Sequence, residues 1–324
     1  MRVLSGIQPS GALHIGNYFG AIRQYVALQE GNDAYYFVAD YHALTSVRGA
    51  DTLRKYVFDV IADLLALGLD PGRATLFVQS DVPETTELAW LLSTVTPMGW
   101  LEKCVSYKDK VQQGLPAEHG LFAYPVLQAA DILLYDADLV PVGQDQKQHL
   151  EITRDIAERF NHTYGEVFKL PRPYILDGVA VVPGLDGRKM SKSYDNTIEI
   201  FDDPKVILKK AKKIVTDSTP VEAPKDPESD NLFGLYRLFA GPDDLAEVER
   251  RYRSGGIGYG EVKVRLAEAI VAAFAPARER RAELVAHPER VQEVRAAAAA
   301  RARTTARAVL DRARGACGVG PRLG

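Results

Sequence analysis

The hydrophobic and polar positions of the first 80 residues follow two different periods. Short runs of β-branched and aromatic residues at 2–6, 35–39 and 75–79 predict strands, and longer amphipathic segments at 16–28 and 51–67 predict helices. This alternation favours a parallel sheet with right-handed crossovers. Ligands bind such a sheet beyond the carboxyl ends of its strands. Polar residues at 5–17 and 40–46 follow two strands, so we expect the site there.

The pattern is mostly helical from there to residue 160. Apolar spacing predicts helices at 84–93, 100–113, 121–135 and 144–160, and 139–142 resembles a strand that returns to the sheet. A loop rich in Pro, Gly and Asp follows at 171–187. The predicted fold class is therefore α/β, with a Rossmann-type parallel-sheet catalytic domain and a helical insertion at about 81–120.

A domain boundary is predicted near residue 200. A helix at 204–215 is followed by a polar, Pro-rich link at 218–230 and by helical segments that end in an Ala- and Arg-rich tract after residue 289. A chain of 324 residues fits two domains. We predict a catalytic domain at 1–199 and an all-helical C-terminal domain at 200–324.

The composition is that of an ordinary globular protein and excludes few functions. The net charge of −3 and the 46% hydrophobic content create no general demand for a nucleic acid or a membrane. Cys104 and Cys317 have neither metal-site nor disulfide-framework spacing, so we expect no bound metal in the protein itself. No apolar run reaches the roughly 20 residues that span a bilayer, and no leader pattern precedes residue 2. We expect a cytoplasmic protein without membrane contact.

The first candidate motif is Gly-Ala-Leu-His-Ile-Gly-Asn at 11–17. Its glycines let the backbone approach a ligand, and the helix that begins there directs free N–H groups and a positive dipole end toward phosphate. His14 adds a further hydrogen-bond donor. The alternative is that this segment is only a turn between a strand and a helix, in which the histidine caps the helix.

The second motif, Lys-Met-Ser-Lys-Ser at 189–193, lies about 175 residues after His14. Its two ammonium groups and two hydroxyls suit a leaving pyrophosphate, although an exposed basic loop is the simpler alternative. The chain contains no Walker sequence, and its Gly-rich stretch at 255–260 lacks the dinucleotide-binding spacing. Together the two motifs predict that the protein activates a substrate with ATP.

Five segments in chain order carry a family resemblance: GIQPSG at 6–11, HIGN at 14–17, YPVLQAADIL at 124–133, VPVGQDQ at 140–146 and KMSKS at 189–193. From residue 2 to about 215, and more loosely beyond, the chain resembles the bacterial tryptophanyl-tRNA synthetases of class I. The resemblance implies a tryptophan–tRNA ligase that uses ATP and Mg²⁺ to form tryptophanyl-adenylate and then charges tRNA(Trp). It also implies a homodimer and an anticodon-binding C-terminal domain.

The resemblance further assigns residues to the site. The catalytic residues would be His14, Lys189 and Lys192. The ATP-binding residues would be Gln8, Pro9, Ser10, Gly16, Asn17, Lys110, Gly143, Gln144, Asp145, Val182, Lys189, Met190, Ser191, Lys192 and Ser193. The tryptophan-binding residues would be Tyr124, Gln128, Asp131, Ile132, Val142 and Gln146. For Lys110, an exposed helix surface is an equal alternative.

Asp131 also suits the amino-acid pocket on physical grounds. A buried polar group that can hydrogen-bond only one of two aromatic ligands lets a pocket discriminate between them by about 10⁴- to 10⁵-fold. The neighbours of Asp131 on its helix are apolar, so its carboxylate would be such a group. A carboxylate paired with a Lys or Arg is the alternative. Gln128, one turn back on the same face, departs from the methionine of many bacterial members and resembles the tyrosine enzymes.

Several alternatives remain open at this point. In order of preference they are a tyrosyl-tRNA synthetase, a related nucleotidyltransferase, and a non-catalytic paralogue that binds an amino acid or RNA. We expect His42 and His149 to form hydrogen bonds, and Trp90 and Trp100 to pack. The lysines at 205, 209, 210, 212 and 213 and the terminal arginines either contact tRNA phosphates or form a solvated face.

Overall fold

A computed structural model describes residues 1–104, 107, 118–143, 147–174 and 182–320. Its sheet contains five strands: β1 Arg2–Ile7, β2 Asp33–Val38, β3 Ala74–Val78, β4 Leu139–Pro141 and β5 Arg172–Tyr174. All neighbours pair in parallel, in the order β3-β2-β1-β4-β5. The order reverses at β1, and the crevice beyond such a reversal is where doubly wound sheets bind ligands. The predicted Rossmann-type α/β class is confirmed.

Helices surround this sheet and form the C-terminal region. They are α1 Ile15–Asn17, α2 Arg23–Leu28, α3 Asp40–Ala43, α4 Ala50–Ala66, α5 Glu84–Ser93, α6 Met98–Leu101, α7 His119–Leu133, α8 Lys147–Tyr164, α9 Pro204–Lys212, α10 Asn231–Tyr236, α11 Pro242–Ser254, α12 Tyr259–Ala286 and α13 Pro288–Cys317. A π-helical turn, Tyr18–Ile22, joins α1 to α2. None of the helices in the described ranges is long and apolar enough to cross a membrane.

Strand β5 corrects one expectation, because the sequence predicts a loop throughout 171–187. Arg172–Tyr174 instead pairs with β4, with Val140 opposite Pro173. Proline cannot donate to a ladder and is confined mainly to edge strands, and β5 is the last strand of the sheet. Most of the predicted helix at 100–113 lies outside the described residues, and α6 ends at Leu101.

The C-terminal helices pack directly on the sheet domain. Ala298, Ala302 and Ala306 of α13 are fully buried in one hydrophobic cluster with Phe77 of β3 and Leu88 of α5. A second cluster combines residues of α4 with residues of α9 to α12. Both clusters thus contain residues from either side of position 200, and the domain division there stays a prediction.

Most arginines of α13 contact the sheet domain through their side chains. Arg295 pairs with Asp81, and Arg303 and Arg307 both pair with Glu84, which is only 8% exposed. Further pairs join Arg312 to Asp136 and Arg314 to Glu87. These guanidinium groups therefore anchor the C-terminal helix to the sheet domain. The sequence predicted instead that the terminal arginines contact tRNA phosphates or form a solvated face.

Candidate active site

Main-chain hydrogen bonds bring the two predicted motifs together. The Ile15 amide donates to the Ile198 carbonyl at 3.0 Å, and the Ile200 amide donates to the Leu13 carbonyl at 3.0 Å. Between these bonds, His14 and Glu199 face each other in an antiparallel bridge. All four apolar residues are buried in the same cluster. The histidine motif is thus fixed to the segment that follows the lysine motif.

A side-chain contact closes the same gap. Lys192 Nζ donates to Ser10 Oγ at 3.4 Å. Gly11, the first residue of the histidine motif, has φ +117°, and a Cβ at this position would lie 3.7 Å from Lys192 Nζ. Glycine adopts this backbone conformation without the strain that other residues incur. The loop after β1 and the second lysine therefore line one space.

His14 is buried in this space and is held as an uncharged imidazole. Burial, and secondly the nearby Lys192 cation, lower the pKa of His14 to about 4, against the opposing effect of Glu199. Within the described residues, its buried Nδ1 has no hydrogen-bond partner. A Cβ at Gly16 would lie 2.9 Å from Nδ1. Glycine at 16 thus keeps the space beside Nδ1 free of a side chain.

The lysine motif lies on a hairpin that a buried asparagine organises. Asn196 Oδ1 accepts from the Ser191 amide at 2.8 Å, and Nδ2 donates to Asp186 Oδ1 at 2.7 Å and to the Lys189 carbonyl at 3.2 Å. A Cβ at Gly184 would lie 2.2 Å from the Asn196 amide. Any larger residue at 184 would therefore clash with Asn196, so this position requires glycine.

The residues of this motif differ in exposure. Met190 is buried, and its amide donates to the carbonyl of the buried Val182 at 2.9 Å. Lys189 is exposed, whereas burial lowers the pKa of Lys192, opposed by Glu199 and Asp63. Ser191 Oγ accepts from the Ser193 amide at 3.3 Å. The structure thus brings Lys192 to His14 and leaves Lys189 facing outward.

Asp131, the predicted selector of the amino acid, is buried in a polar network. Gln79 Nε2 donates to its two carboxylate oxygens at 2.7 and 3.0 Å, and a 2.8 Å hydrogen bond joins His42 Nε2 to Oδ2. Burial raises the pKa of Asp131, and the His42 and Gln79 hydrogen bonds oppose that rise. Its partners in the described part of the chain are these two residues, not the Lys or Arg of the alternative.

The two halves of the predicted site meet at His42. Gln8 Nε2, on the nucleotide side, donates to the His42 carbonyl at 3.3 Å. On the amino-acid side, the Tyr124 ring lies edge-on to the His42 ring with centroids 6.4 Å apart, and its hydroxyl is hydrogen-bonded to His149 Nε2. Both histidines thus form the hydrogen bonds expected of them.

The remaining predicted residues have different positions. Asn17 Oδ1 accepts from the His14 amide at 3.1 Å, and Pro9 is buried whereas Gly143 is exposed. Ile132 is buried in the cluster against which the half-buried Val142 packs, and Gln128 is half-buried. Four predicted residues lie outside the described ranges: Lys110, Gln144, Asp145 and Gln146. In those ranges, no three His, Cys, Asp or Glu side chains form a metal-binding group.

Sequence reasoning missed Gln79 and Asn196. Gln79 follows β3 directly, so the rule that placed the site at the carboxyl ends of strands would also have indicated this residue. Asn196 carried no comparable signal, because its importance depends on a hairpin that the sequence does not reveal.

Known proteins resemble this chain over most of its length. A sequence model of the family described as tRNA synthetases class I (W and Y) matches residues 1–275. A Rhodopirellula baltica protein named Tryptophan–tRNA ligase is 57% identical over 319 residues, covering 98% of this chain and 100% of that protein. A Fusobacterium nucleatum protein of the same name is 54% identical over 306 residues, covering 94% of each.

The similarity extends to three dimensions. The crystal structure of tryptophanyl-tRNA synthetase from Campylobacter jejuni, complexed with ADP and tryptophan, superposes with a TM-score of 0.93 at 49% identity. The superposition covers 98% of this chain and 100% of that one. A synthetase from the archaeon Aeropyrum pernix gives a TM-score of 0.71 at 27% identity. The chain therefore belongs to the class I (W and Y) family of tRNA synthetases.

Proposed function

We propose that the enzyme is a tryptophan–tRNA ligase that activates L-tryptophan with ATP and transfers it to tRNA(Trp). The observation that carries this proposal is the pairing of residues 13–15 with 198–200, which brings His14 and Lys192 to one gap. The relatives named Tryptophan–tRNA ligase, at 57% and 54% identity, favour tryptophan over the tyrosine alternative. The Campylobacter jejuni structure, with ADP and tryptophan bound, supports an adenine nucleotide and tryptophan as the ligands.

In the activation step, a carboxylate oxygen of tryptophan attacks the α-phosphorus of ATP. A bond forms between that oxygen and the phosphorus, and the bond to the bridging oxygen breaks, which releases pyrophosphate. The carboxylate is already anionic, so no general base is needed. Catalysis comes from positioning and from stabilising the charge that grows on the leaving group. We assign that task to His14, Lys189, Lys192 and the amide groups at the start of α1.

His14 contributes as a neutral donor. With its pKa at about 4, the ring carries no charge at neutral pH, and its Nδ1 has no protein partner among the described residues. A phosphate oxygen could accept a hydrogen bond from this ring without first displacing a protein group. Lys192 and Lys189 supply the positive charge, the first from a half-buried position and the second from an exposed one.

Asp131 selects the amino acid in this proposal. The indole N–H would donate to its carboxylate, in a pocket where Tyr124, Gln128, Ile132 and Val142 provide the surrounding surface. Gln79 and His42 already bond to this carboxylate, and an amino acid without a donor would leave its remaining acceptor position buried and unpaired, which costs far more than a missing methylene group. The adenylate then loses AMP when a terminal hydroxyl of the tRNA attacks the aminoacyl carbonyl.

Mg²⁺ and tRNA complete the proposal. Mg²⁺ would arrive on the triphosphate of ATP, since it prefers phosphate oxygens and retained waters to an all-protein cage. The exposed side chains of Lys205, Lys209, Lys212 and Lys213, on and after α9, are candidates for tRNA phosphate contacts. Lys210 differs, because it pairs with Glu199 and Asp202. We assign anticodon binding to the helices beyond residue 200, and the cytoplasm as the compartment that supplies both substrates.

A homodimer is the proposed assembly. Trp90 of α5 and Met98 of α6, within the predicted helical insertion, are 71% and 63% exposed. Trp90 therefore does not pack within its own chain as expected, whereas Trp100 is partly buried against the core. Large exposed apolar side chains mark contact surfaces, and we assign these two to the partner copy.

Amino-acid-dependent exchange of pyrophosphate into ATP tests the proposed function. The purified chain is incubated with ATP, Mg²⁺, labelled pyrophosphate and each of the twenty amino acids in turn. We expect exchange with tryptophan, and a preference over tyrosine on the order of 10⁴-fold. A preference for tyrosine would support the tyrosyl alternative, and no exchange with any amino acid would support the non-catalytic one.

A further inference from the structure

The 3₁₀ turn Gln79–Asp81 connects three parts of the molecule through consecutive side chains. Gln79 donates to Asp131 of α7, and Ser80 Oγ donates to Asp40 Oδ2 of α3 at 2.5 Å. Asp81 accepts from Arg295 of α13 at 2.6 and 2.8 Å. A displacement of this turn would therefore move the Gln79 amide relative to Asp131.

Gln79 determines how the Asp131 carboxylate is presented. Its side chain is 1% exposed, and its Oε1 accepts from the Tyr41 amide at 3.0 Å, which orients Nε2 toward Asp131. A carboxylate has about four acceptor positions. Gln79 takes two and His42 takes one. The direction left for an incoming N–H group is thus set by these two partners.

Arg295 fixes the other end of the turn. The guanidinium holds Asp81 through two parallel hydrogen bonds, a geometry that specifies orientation as well as distance. The two side chains are 30% and 24% exposed. Ala298 and Ala302, on the next turns of α13, are fully buried against the sheet domain. Arg295 therefore projects from a helix that is itself firmly packed.

We propose that Gln79 and Arg295 are positioning residues for amino-acid selection: Arg295 holds the turn through Asp81, and Gln79 holds the Asp131 carboxylate. This inference rests on the proposed function, because it takes Asp131 as the acceptor of the indole N–H. It makes the affinity for tryptophan depend on a residue of the C-terminal helix that touches neither substrate.

The test is steady-state exchange kinetics of Arg295→Gln in the full-length protein. We expect KM for tryptophan to rise about fivefold, while kcat and KM for ATP stay within about twofold of wild type. Gln79→Met removes both hydrogen bonds to Asp131 directly and is expected to raise KM for tryptophan further. Arg295→Lys keeps the positive charge but not the two parallel hydrogen bonds, so its KM for tryptophan should lie between those of wild type and Arg295→Gln.

Arg303→Gln is the matched control. It breaks an ion pair from the same helix to Glu84 of α5 and makes no contact with the turn. It should lower Tm about as much as Arg295→Gln and leave KM for tryptophan unchanged. Asp81→Asn removes the charge of the other partner in the Arg295–Asp81 ion pair. The double variant Asp81→Asn/Arg295→Gln should have a KM for tryptophan no higher than that of the more impaired single variant.

Three results would overturn the inference. The first is an unchanged KM for tryptophan in both Arg295→Gln and Asp81→Asn. The second is an equal rise in Arg303→Gln, which would reveal a general effect of loosening α13. The third is a wild type without tryptophan-dependent exchange, which would also overturn the proposed function. The wild-type measurement thus separates the two failures, because the first two results leave wild-type exchange intact.

Discussion

Burial lowers the pKa of two groups in the candidate site. His14 and Lys192 lie within electrostatic reach of each other, and for both of them burial is the largest influence on the pKa, which it lowers. The neutral His14 ring beside the half-buried Lys192 ammonium is a suitable environment for a triphosphate, because the pair supplies hydrogen-bond donors without forcing two cations together. The approach of the anion would then favour the charged form of Lys192.

The protonation state of His14 gives the first prediction. Its ring should titrate with a pKa of about 4 in the folded protein, and Lys192→Ala should shift this pKa upward because it removes the second cause of the lowering. Long-range ¹H–¹⁵N correlation spectra of the imidazole as a function of pH measure both values. A wild-type ring that titrates near 6.5 would contradict the buried, uncharged state.

Single residues also show where sequence reasoning was sufficient. His14 and Lys192 stood in short motifs whose residue types suggest phosphate chemistry, and Asp131 was a lone acid among apolar neighbours. The strand-end position of Gln79 could indicate only that it lies near the site, and its role in bonding Asp131, 52 positions away in the chain, became clear only from the fold. A polar residue at the end of a strand has no such meaning until its partner is known.

Among the structural elements, the lysine hairpin depends most on one internal side chain. Asn196 bonds the Ser191 amide, the Lys189 carbonyl and Asp186, and it is 2% exposed. Its hydrogen bonds determine how the two lysines are spaced relative to the histidine motif. Loss of the asparagine should thus disturb the nucleotide side of the site and spare the amino-acid side.

Asn196→Ala tests this division of roles. We expect kcat for exchange to fall by about 10-fold or more, because misplaced groups lose the advantage of orientation, and KM for tryptophan to stay within about twofold. Thr163→Ala, which removes an exposed hydrogen bond on α8, serves as the control. Equal effects on KM for tryptophan and on kcat would show that the hairpin is not a separate unit.

The strands of the sheet were predicted unequally well, for a physical reason. The first three are long enough to show their apolar period, and β4 was recognised from a short apolar run. β5 has only three residues, Arg172–Tyr174, with a partly exposed surface and a proline at its centre. An edge strand of this kind is defined by its neighbour β4, so the local sequence resembles the surrounding loop.

At the scale of the whole molecule, the main feature that the sequence did not predict is the packing of the C-terminal helices against the sheet domain. The Ala- and Arg-rich tract was correctly predicted to be helical, since alanine and arginine favour helices. Its ion pairs with the sheet domain join residues more than 170 positions apart, such as Arg312 and Asp136. Composition therefore identified the helix but not the carboxylates that receive its arginines.

One such contact makes a prediction about stability and pH. Asp63 of α4 is bonded to Arg281 of α12 at 2.5 Å, yet burial raises the pKa of Asp63 to about 6, with Arg281 opposing that rise. Between pH 3.8 and 6 the folded state therefore binds more protons than the unfolded state at this residue. The contribution of Asp63 to stability accordingly falls as pH rises through this window.

The variant Asp63→Asn isolates the effect of Asp63 on stability from that of His14. The effect of His14 has the opposite sign, because the lowered pKa of His14 makes the folded state less stable as pH falls from 6.5 toward 4. Urea unfolding of wild type and variant at pH 4.5 and pH 6.5 gives the comparison. The free energy of unfolding of wild type, minus that of the variant, should fall by roughly 2 kcal/mol between the two pH values. A constant or rising difference would contradict the raised pKa.

The central claim is that two remote motifs form one site for the triphosphate. The rate of tryptophan-dependent pyrophosphate exchange by Lys192→Ala tests it most directly. The control is Lys169→Ala, which removes a half-exposed lysine whose partner is Asp138, at the opposite edge of the sheet. We predict that Lys192→Ala lowers kcat by about 10²- to 10³-fold with KM for tryptophan nearly unchanged, and that Lys169→Ala behaves as wild type. Exchange by Lys192→Ala at the wild-type rate would contradict the claim.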